Sequence, residues 1–240
     1  MLAVRKEMIF RDRTDAGSKL AAGVFSYLER HPNFSHHSQL VVVGLPRGGV
    51  ITALEVARKL SCPLEILCSK KLPYPGQPEY AIGAVTADGI VVNNPGIPRY
   101  PEWEDYLSEQ SQLLLQQTRS REKAIRHSGS HEEISLENKI VIIVDDGIAT
   151  GMTALAAIKS AKQRRAAAII LAVPVISFSS YSELRLVCDD VVALTMPRDF
   201  AAVGQYYVNF EQVTDDAVAA ALQESHSFIA DRAVNCRNTN

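Results

Sequence analysis

The chain has 240 residues, 47% of them apolar and 22% charged, so it is long enough to bury a sizeable core and is expected to form one domain, 1–240, with at most a small appendage. Its 25 basic and 27 acidic residues leave a formal charge of −2, which argues against nucleic acid or an anionic membrane as partner and favours a small molecule. No apolar run reaches the roughly 18 residues of a membrane helix, because the longest, Ala166 to Val175, is interrupted by Pro174.

The opening MLAVRKEMIFRDRTDAG is charged throughout and lacks the apolar core of a secretory signal. Cys62, Cys68, Cys188 and Cys236 form no CxxC pair and have no histidine at zinc-finger spacing. A cytoplasmic protein without disulfide staples or structural zinc is expected.

In chain order, Leu20, Val24, Tyr27 and Leu28 fall on one face of a helix from about Thr14 to Arg30. LVVVG at Leu40–Gly44 reads as a parallel strand covered on both faces, and it runs into GLPRGG. Val50, Leu54, Ala57 and Leu60 repeat at helical spacing until Pro63, and Leu64–Ser69 reads as the next strand of a βαβ unit. Lys70–Glu79, KKLPYPGQPE, carries three prolines and a glycine and reads as a loop. AIGAVTADGIVVN reads as a hairpin turning at Asp88-Gly89, at the edge of the sheet. Glu102–Arg126, free of Gly and Pro, reads as one long helix.

Lys139–Val144, KIVIIV, is a second doubly buried strand, which leads through DDGIATGMT into a helix ending near Gln163. AAAIILAVPV then reads as a strand, FSSYSELRLV as a short helix and DVVAL as a last strand. This order specifies an α/β fold with an open, mainly parallel sheet and helices on both faces. Residues 1–30, 88–126 and 196–230 are candidates for a small cap, and 231–240 for a flexible tail.

The most informative segment is Val141–Thr153, VIIVDDGIATGMT, where a buried strand ends in two acids, a small-residue turn and a helix start. Gly147, Ala149 and Gly151 keep side chains out of the way, so backbone N–H groups can converge on an anion, and Thr150 and Thr153 add hydroxyls. Each helix-end interaction contributes only about 0.3 to 1 kcal/mol, so a phosphate needs several together. Met152 stands where a Walker A loop needs lysine, and GLPRGG does not match GxGxxG, so nucleoside-triphosphate hydrolysis and dinucleotide binding lose support. Asp145 and Asp146 are suited to accept hydrogen bonds from a vicinal diol while the turn holds a phosphate, as in a ribose 5-phosphate unit. The bland alternative is a plain turn whose acids cap the helix.

This pattern resembles the signature of the type I phosphoribosyltransferases, a strand, two acids, a small-residue turn and Thr-Gly-x-Thr. The βα order extends the resemblance from about Leu40 to Thr195, and FRDRTDAG, PGQPEYAIGAV and FAAVGQYYVNF make the chain most similar to bacterial phosphoribosyltransferases of undefined acceptor. The resemblance implies a type I phosphoribosyltransferase-like sheet that binds phosphoribosyl pyrophosphate with Mg2+. It implies that Asp145 and Asp146 face the ribose hydroxyls and meet the metal indirectly, through those hydroxyls or water. Gly147, Ile148, Ala149, Thr150, Gly151, Met152 and Thr153 would enclose the 5-phosphate. Hypoxanthine and guanine transferases place an acid at the position of Ala149, which cannot transfer a proton; this departure is compatible with the adenine and orotate types.

The second turn, Gly44–Val50, can lie beside the first. Arg47 can grip two phosphate oxygens, and Gly48 and Gly49 leave amides accessible, so the resemblance assigns Pro46, Arg47, Gly48 and Gly49 to pyrophosphate. A cis bond would cost least at Leu45-Pro46. The alternative is a tight turn with a solvated arginine. Lys70 and Lys71 end a strand where either can reach the leaving group, or both are simply solvated, and the loop from Lys70 onwards is the counterpart of the family's closing loop. Phe200, after the last strand, offers a ring face to an acceptor or packs as a core aromatic; Tyr206, Tyr207 and Phe210 read as strand and core residues. Asp12, Arg13 and Asp15 read as part of the cap over the site or as a helix start capped by Thr14 or Asp15, and His36 and His37 as solvated.

The activity this implies is transfer of 5-phosphoribosyl from phosphoribosyl pyrophosphate to a nitrogenous base or related small-molecule acceptor, with inversion and release of pyrophosphate. Arg47, Lys70, Lys71, Asp145 and Asp146 are the catalytic candidates. The alternative is a non-catalytic sensor of the same donor. Donor synthesis normally needs two such domains and finds one signature here, and homodimerisation is left open.

Overall fold

The computed structural model describes residues 8–34, 39–94, 96–98 and 100–237, without side chains at 78, 79 and 229–237. Strands β1 (Leu40–Gly44) and β6 (Ile140–Val144) are buried at every position, as their β-branched composition requires of strands covered on both faces. They pair in parallel, flanked by β2 (Leu64–Ile66) on one side and by β7 (Ala168–Val175) and β8 (Asp190–Thr195) on the other, giving the order β2-β1-β6-β7-β8. Val42, Ile142, Val144 and Ile170 point to one face, where α1 (Arg13–Arg30), α2 (Gly48–Leu60) and α6 (Asp215–Arg237) cover them. Val41, Val43, Val141, Ile143 and Leu171 point to the other, under α4 (Met152–Gln163) and α5 (Phe178–Leu184). The expected α/β class, with a parallel sheet and helices on both faces, is what the structure has.

The strand order reverses between β1 and β6. The helix after β1 lies on one face and the helix after β6 on the other, so a crevice opens between the two connections at the carboxyl ends of these strands. Both turns singled out in the sequence leave from this point.

Three expectations need correction. The strand foreseen over Leu64–Ser69 leaves the parallel sheet after Ile66, and Lys70–Glu79 is not a loop. Instead β3 (Ser69–Tyr74) and β4 (Gln77–Thr86) form an antiparallel hairpin, joined at Pro75-Gly76, where Gly76 has φ of 75°. The prolines are tolerated because Pro73 falls at a register shift of an edge strand, Pro75 sits in the turn, and Pro78 lies in the part of β4 that β5 does not reach and has no partner in the register with β3. The hairpin at Asp88-Gly89 is present, but it joins β4 to β5 (Val91–Asn93) in this separate three-stranded sheet rather than at the edge of the main one. Helix α6 runs to Arg237 and so takes in the first part of the segment expected as a tail. His36 and His37 lie outside the described residues.

The small sheet packs on α3 (Glu104–Ser128) through Leu72, Ile82 and Leu107, and on the first turns of α4 through Ala84, Val92, Met152 and Ala156. The join between α3 and the main sheet is charged. Glu65 on β2 is fully buried and receives Arg126 of α3 at 2.7 Å, the Ile134 amide at 2.6 Å and the Ile66 amide at 2.5 Å. Burial alone would push its carboxyl up; His131 at 3.5 Å, the Arg126 charge and the two amides together hold it below the usual range. Removing one partner leaves a buried charge unpaired, so Arg126→Met should lower the unfolding free energy at neutral pH by about 3 to 5 kcal/mol. Because the folded-state value is depressed, the parent's advantage should be present above the ordinary carboxylate range and shrink as pH falls through Glu65's titration. Denaturant titration at several pH values checks both.

Candidate functional site

At the end of β6 the chain turns on Asp145 and Asp146. The Asp146 amide donates to Asp145 Oδ1 at 2.9 Å, so the first carboxylate anchors the backbone of the second. Burial, and then the neighbouring Asp146 charge, push the Asp145 carboxyl well up.

The turn after β1 is pressed directly onto this pair. The Leu45 amide donates to the Val144 carbonyl at 3.0 Å, aligning the two strand ends. A β-carbon on Gly48 would lie 1.9 Å from Asp146 Oδ2, and one on Gly49 2.8 Å from Asp145 Oδ1 and 2.9 Å from the Val144 carbonyl. No side chain fits at either position. The peptide between Pro46 and Arg47 is cis; the bond expected in that form was Leu45-Pro46, a choice made on the cost at one bond without the turn that contains it. Arg47 is half-buried at the start of α2, and its charge helps lower the Asp215 carboxyl, after the larger effect of Arg121. Arg121 of α3 grips Asp215, the first residue of α6, at 3.1 Å to both oxygens through Nε and 2.5 Å through Nη2.

Between Asp146 and α4, the turn is held open by its surroundings. Gly147 lies under Val203, where a β-carbon would be 2.4 Å from a methyl. Ile148 is buried and its backbone is tied to Val175 and Ser177 at 2.9 Å each. The Ala149 carbonyl accepts from the hydroxyls of Ser177 at 2.7 Å and Ser180 at 2.6 Å. Gly151 takes φ of 71°, a left-handed conformation that suits glycine, and starts α4 with no side-chain cap. The amides of Gly151, Met152, Thr153 and Ala154 precede the first intrahelical acceptor bond, from Leu155 to Gly151, and are free to meet an anion. Thr150 is exposed and Thr153 half-buried beside them, whereas the Met152 side chain is buried against Ala84 and Val92 and offers only its backbone.

Lys70 and Lys71 face opposite ways. Lys70 donates to Gln117 of α3 at 2.7 Å. Lys71 is exposed and pairs across the hairpin with Ala84, so it shares the face that packs on the start of α4.

A strap crosses the site, formed by two segments that the sequence offers as cap candidates without showing that they pair or that they touch Asp146. Phe10 and Tyr207 form a parallel bridge, with Phe10 N–H donating to Tyr206 at 2.8 Å, Val208 to Phe10 at 2.8 Å and Asn209 to Arg11 at 2.9 Å. The strap presents Arg13, whose Nε is 2.6 Å from Asp146 Oδ2, and Tyr207, whose hydroxyl donates to the Asp146 carbonyl at 2.5 Å. Tyr207 is therefore more than a core residue, and Phe210, half exposed, lies under the Arg13 guanidinium at 3.9 Å rather than in the core. Phe200 stacks on Tyr206 with ring centroids 5.4 Å apart, so one of its faces is covered. Helix α1 is capped by Asp12, which accepts from Asp15 N–H at 2.8 Å, and not by Thr14 or Asp15. FRDRTDAG and FAAVGQYYVNF were visible as motifs, but nothing in either shows that they zip together.

Among the described residues no cluster of three or more His, Cys, Asp or Glu side chains forms. The hard oxygens of the crevice are those of Asp145 and Asp146, and Arg13 takes one of them. This donor set fits magnesium as an ion carried on a ligand's own oxygens and held through water or hydroxyls, since magnesium keeps several waters and leans on few carboxylates. Among the described residues no helix is long and apolar enough to cross a membrane.

The fold and the two facing turns define an α/β protein whose candidate site lies at the switch point of a parallel sheet. The phosphoribosyl transferase domain profile matches residues 15–211. "Putative phosphoribosyl transferase Rv0571c" of Mycobacterium tuberculosis H37Rv is 40% identical over 226 residues, 93% of this chain; the chain spans about half the length of this relative, 48%. TT1426 from Thermus thermophilus, a crystal structure, is 38% identical, with a TM-score of 0.74 over 90% of this chain and 99% of that one. The chain belongs to the phosphoribosyl transferase domain family, as the twin-aspartate signature implies.

Burying Asp145 beside Asp146 costs stability. Its folded-state value is raised, so the folded chain holds the proton more tightly than the unfolded one and stability is lost as pH rises through that interval. Asp145→Asn keeps an acceptor for the Asp146 amide and removes the charge. It should melt at a higher temperature than the parent at neutral pH, with the difference vanishing below the ordinary aspartate range, as calorimetric scans from acid to neutral pH would reveal.

Proposed function

We propose that the chain is a phosphoribosyltransferase that binds phosphoribosyl pyrophosphate across the two turns and transfers its 5-phosphoribosyl group to a nitrogen nucleophile, with inversion at the anomeric carbon and release of pyrophosphate. The observation that carries this reading is the packing of Gly48 and Gly49 against Asp146 and Asp145, which joins a diol-binding acid pair to a side-chain-free helix start. The amides from Gly151 to Ala154, with Thr150 and Thr153, take the 5-phosphate. Asp145 and Asp146 take the ribose hydroxyls, and Pro46 to Gly49 take the pyrophosphate, with Arg47 as its cation.

Positive charge develops on the sugar as the bond to pyrophosphate breaks, so the reaction needs no covalent nucleophile. The protein's part is to align the acceptor and to present preorganised positive charge and amides to the leaving group. When bound, magnesium neutralises part of the pyrophosphate charge. Lys71 supplies a second cation from the side of the small sheet, and the acceptor lies against the outer face of Phe200, beneath a cap formed by the strap and residues 196–211. A cytoplasmic setting agrees with Cys68 and Cys188 standing outside disulfides.

Losing one preorganised partner of developing charge costs about 2.7 to 4 kcal/mol, roughly 100- to 1,000-fold in rate. Arg47→Ala should slow pyrophosphate release by that much in single-turnover assays, across a panel of purines, pyrimidines and small amines, with its melting temperature nearly unchanged. Equal rates for variant and parent would reject the role of Arg47, and donor binding by the parent without release for any acceptor would favour a sensor. In the same assay Lys71→Ala should lower the rate by about tenfold or more while Lys70→Ala stays within about twofold. The reverse ranking would show that the face assignment of the two lysines is wrong.

A further inference from the structure

We infer that Arg13 is a donor-positioning residue, which locks the Asp146 carboxylate into the orientation that receives the ribose hydroxyls. The inference rests on the reading above and assigns a task to a side chain that the phosphoribosyltransferase signature does not include.

Arg13 is fixed from three directions. Nε meets Asp146 Oδ2 at 2.6 Å, Nη1 donates to the Glu211 carbonyl at 2.7 Å, and the guanidinium carbon lies 3.9 Å above the Phe210 ring. The side chains of Arg13 and Asp146 are 12% and 15% exposed, so the pair is largely shielded from water and salt. Glu211 and Phe210 follow the strap residues that are hydrogen-bonded to Phe10 and Arg11, so the backbone ladder that holds the strap also aims the arginine. A rotamer-rich side chain held in this way has lost its freedom before the donor arrives, which is what positioning requires.

The pyrophosphate turn is shaped to admit this pair. A β-carbon on Gly48 would stand 1.9 Å from Asp146 Oδ2 and 2.5 Å from Arg13 Nε, so the bare glycine makes room for the ion pair as well as exposing its amide. Asp146 is thereby held at its amide by Asp145, at its carbonyl by Tyr207 and at one carboxylate oxygen by Arg13. A plain staple between α1 and β6 would need only the charge. The forked, stacked geometry is specific to arginine, because lysine can neither lie flat on Phe210 nor donate through two fixed nitrogens.

Calorimetric titration of the full chain tests the assignment, using phosphoribosyl pyrophosphate with magnesium, ribose 5-phosphate alone and magnesium pyrophosphate alone. Arg13→Ala should weaken the donor and ribose 5-phosphate by about tenfold or more while leaving pyrophosphate within about twofold, and Arg13→Lys should weaken the first two by at least about fivefold. In an Asp146→Asn background the Arg13 substitutions should have little further effect, since the residue acts through that carboxylate. Unchanged ribose 5-phosphate affinity, equal loss for all three ligands, or full additivity with Asp146→Asn would overturn the assignment. If Arg13→Ala does not fold, Arg13→Lys with and without Asp146→Asn decides by the same criteria. A parent that binds the donor with an affinity insensitive to Arg13 overturns this inference alone; a parent that binds none of the three ligands overturns the reading of the site and the inference with it.

Discussion

Two glycines pressed against two aspartates set the geometry on which the crevice depends. Gly48 and Gly49 stand where the connection leaving β1 passes the connection leaving β6, and a β-carbon at either would collide with the acids or with the Val144 carbonyl. Backbone on one side and carboxylate on the other therefore approach as closely as the chain allows. This contact needs the strand order to reverse between β1 and β6, with α2 and α4 on opposite faces, because otherwise a helix would fill the space between the turns.

The remainder of the fold braces these turns from outside. The carbonyl of Ala149 is held by two serine hydroxyls from the start of α5, which ties down the turn that leads into α4. Arg121 clamps Asp215 and thereby links α3 and α6 close to Arg47. The strap joins residues 10 and 11 to residues 206–209 across a gap in sequence of nearly the whole domain. The small sheet packs on Met152, with Lys71 on the face that meets α4 and Lys70 on the face that meets α3. These supports are hydrogen bonds and packing contacts made within the fold, so the chemistry proposed for the crevice acts on groups already in place.

Much of this was legible from the residues alone, for local reasons. LVVVG and KIVIIV are short β-branched runs closed by glycine or acid turns, and the helices after them carry their own periodicity, so the alternation of strands and helices and both turns could be read directly, while the order of the strands in the sheet could not. The hairpin β3–β4 is hidden from the sequence because proline disrupts a strand only where its missing N–H is needed, and Pro73 at an edge-strand register shift, Pro75 in the turn and Pro78 outside the paired positions of β4 stand where it is not. The pairing of Arg13 with Asp146 spans 133 residues, and the bridge between Phe10 and Tyr207 has no periodic pattern, so neither leaves a local trace. The twin aspartates pointed to the family, and the profile match over residues 15–211 agrees with them.

The central claim is that both turns belong to one donor site, and backbone resonances report on it most directly. Titration with phosphoribosyl pyrophosphate and magnesium, followed by amide chemical shifts, should move Gly48 and Gly49 together with Asp146, Gly151 and Thr153 along one binding curve. Shifts confined to one turn, or amides at both turns that stay where they are at saturating donor, would contradict it.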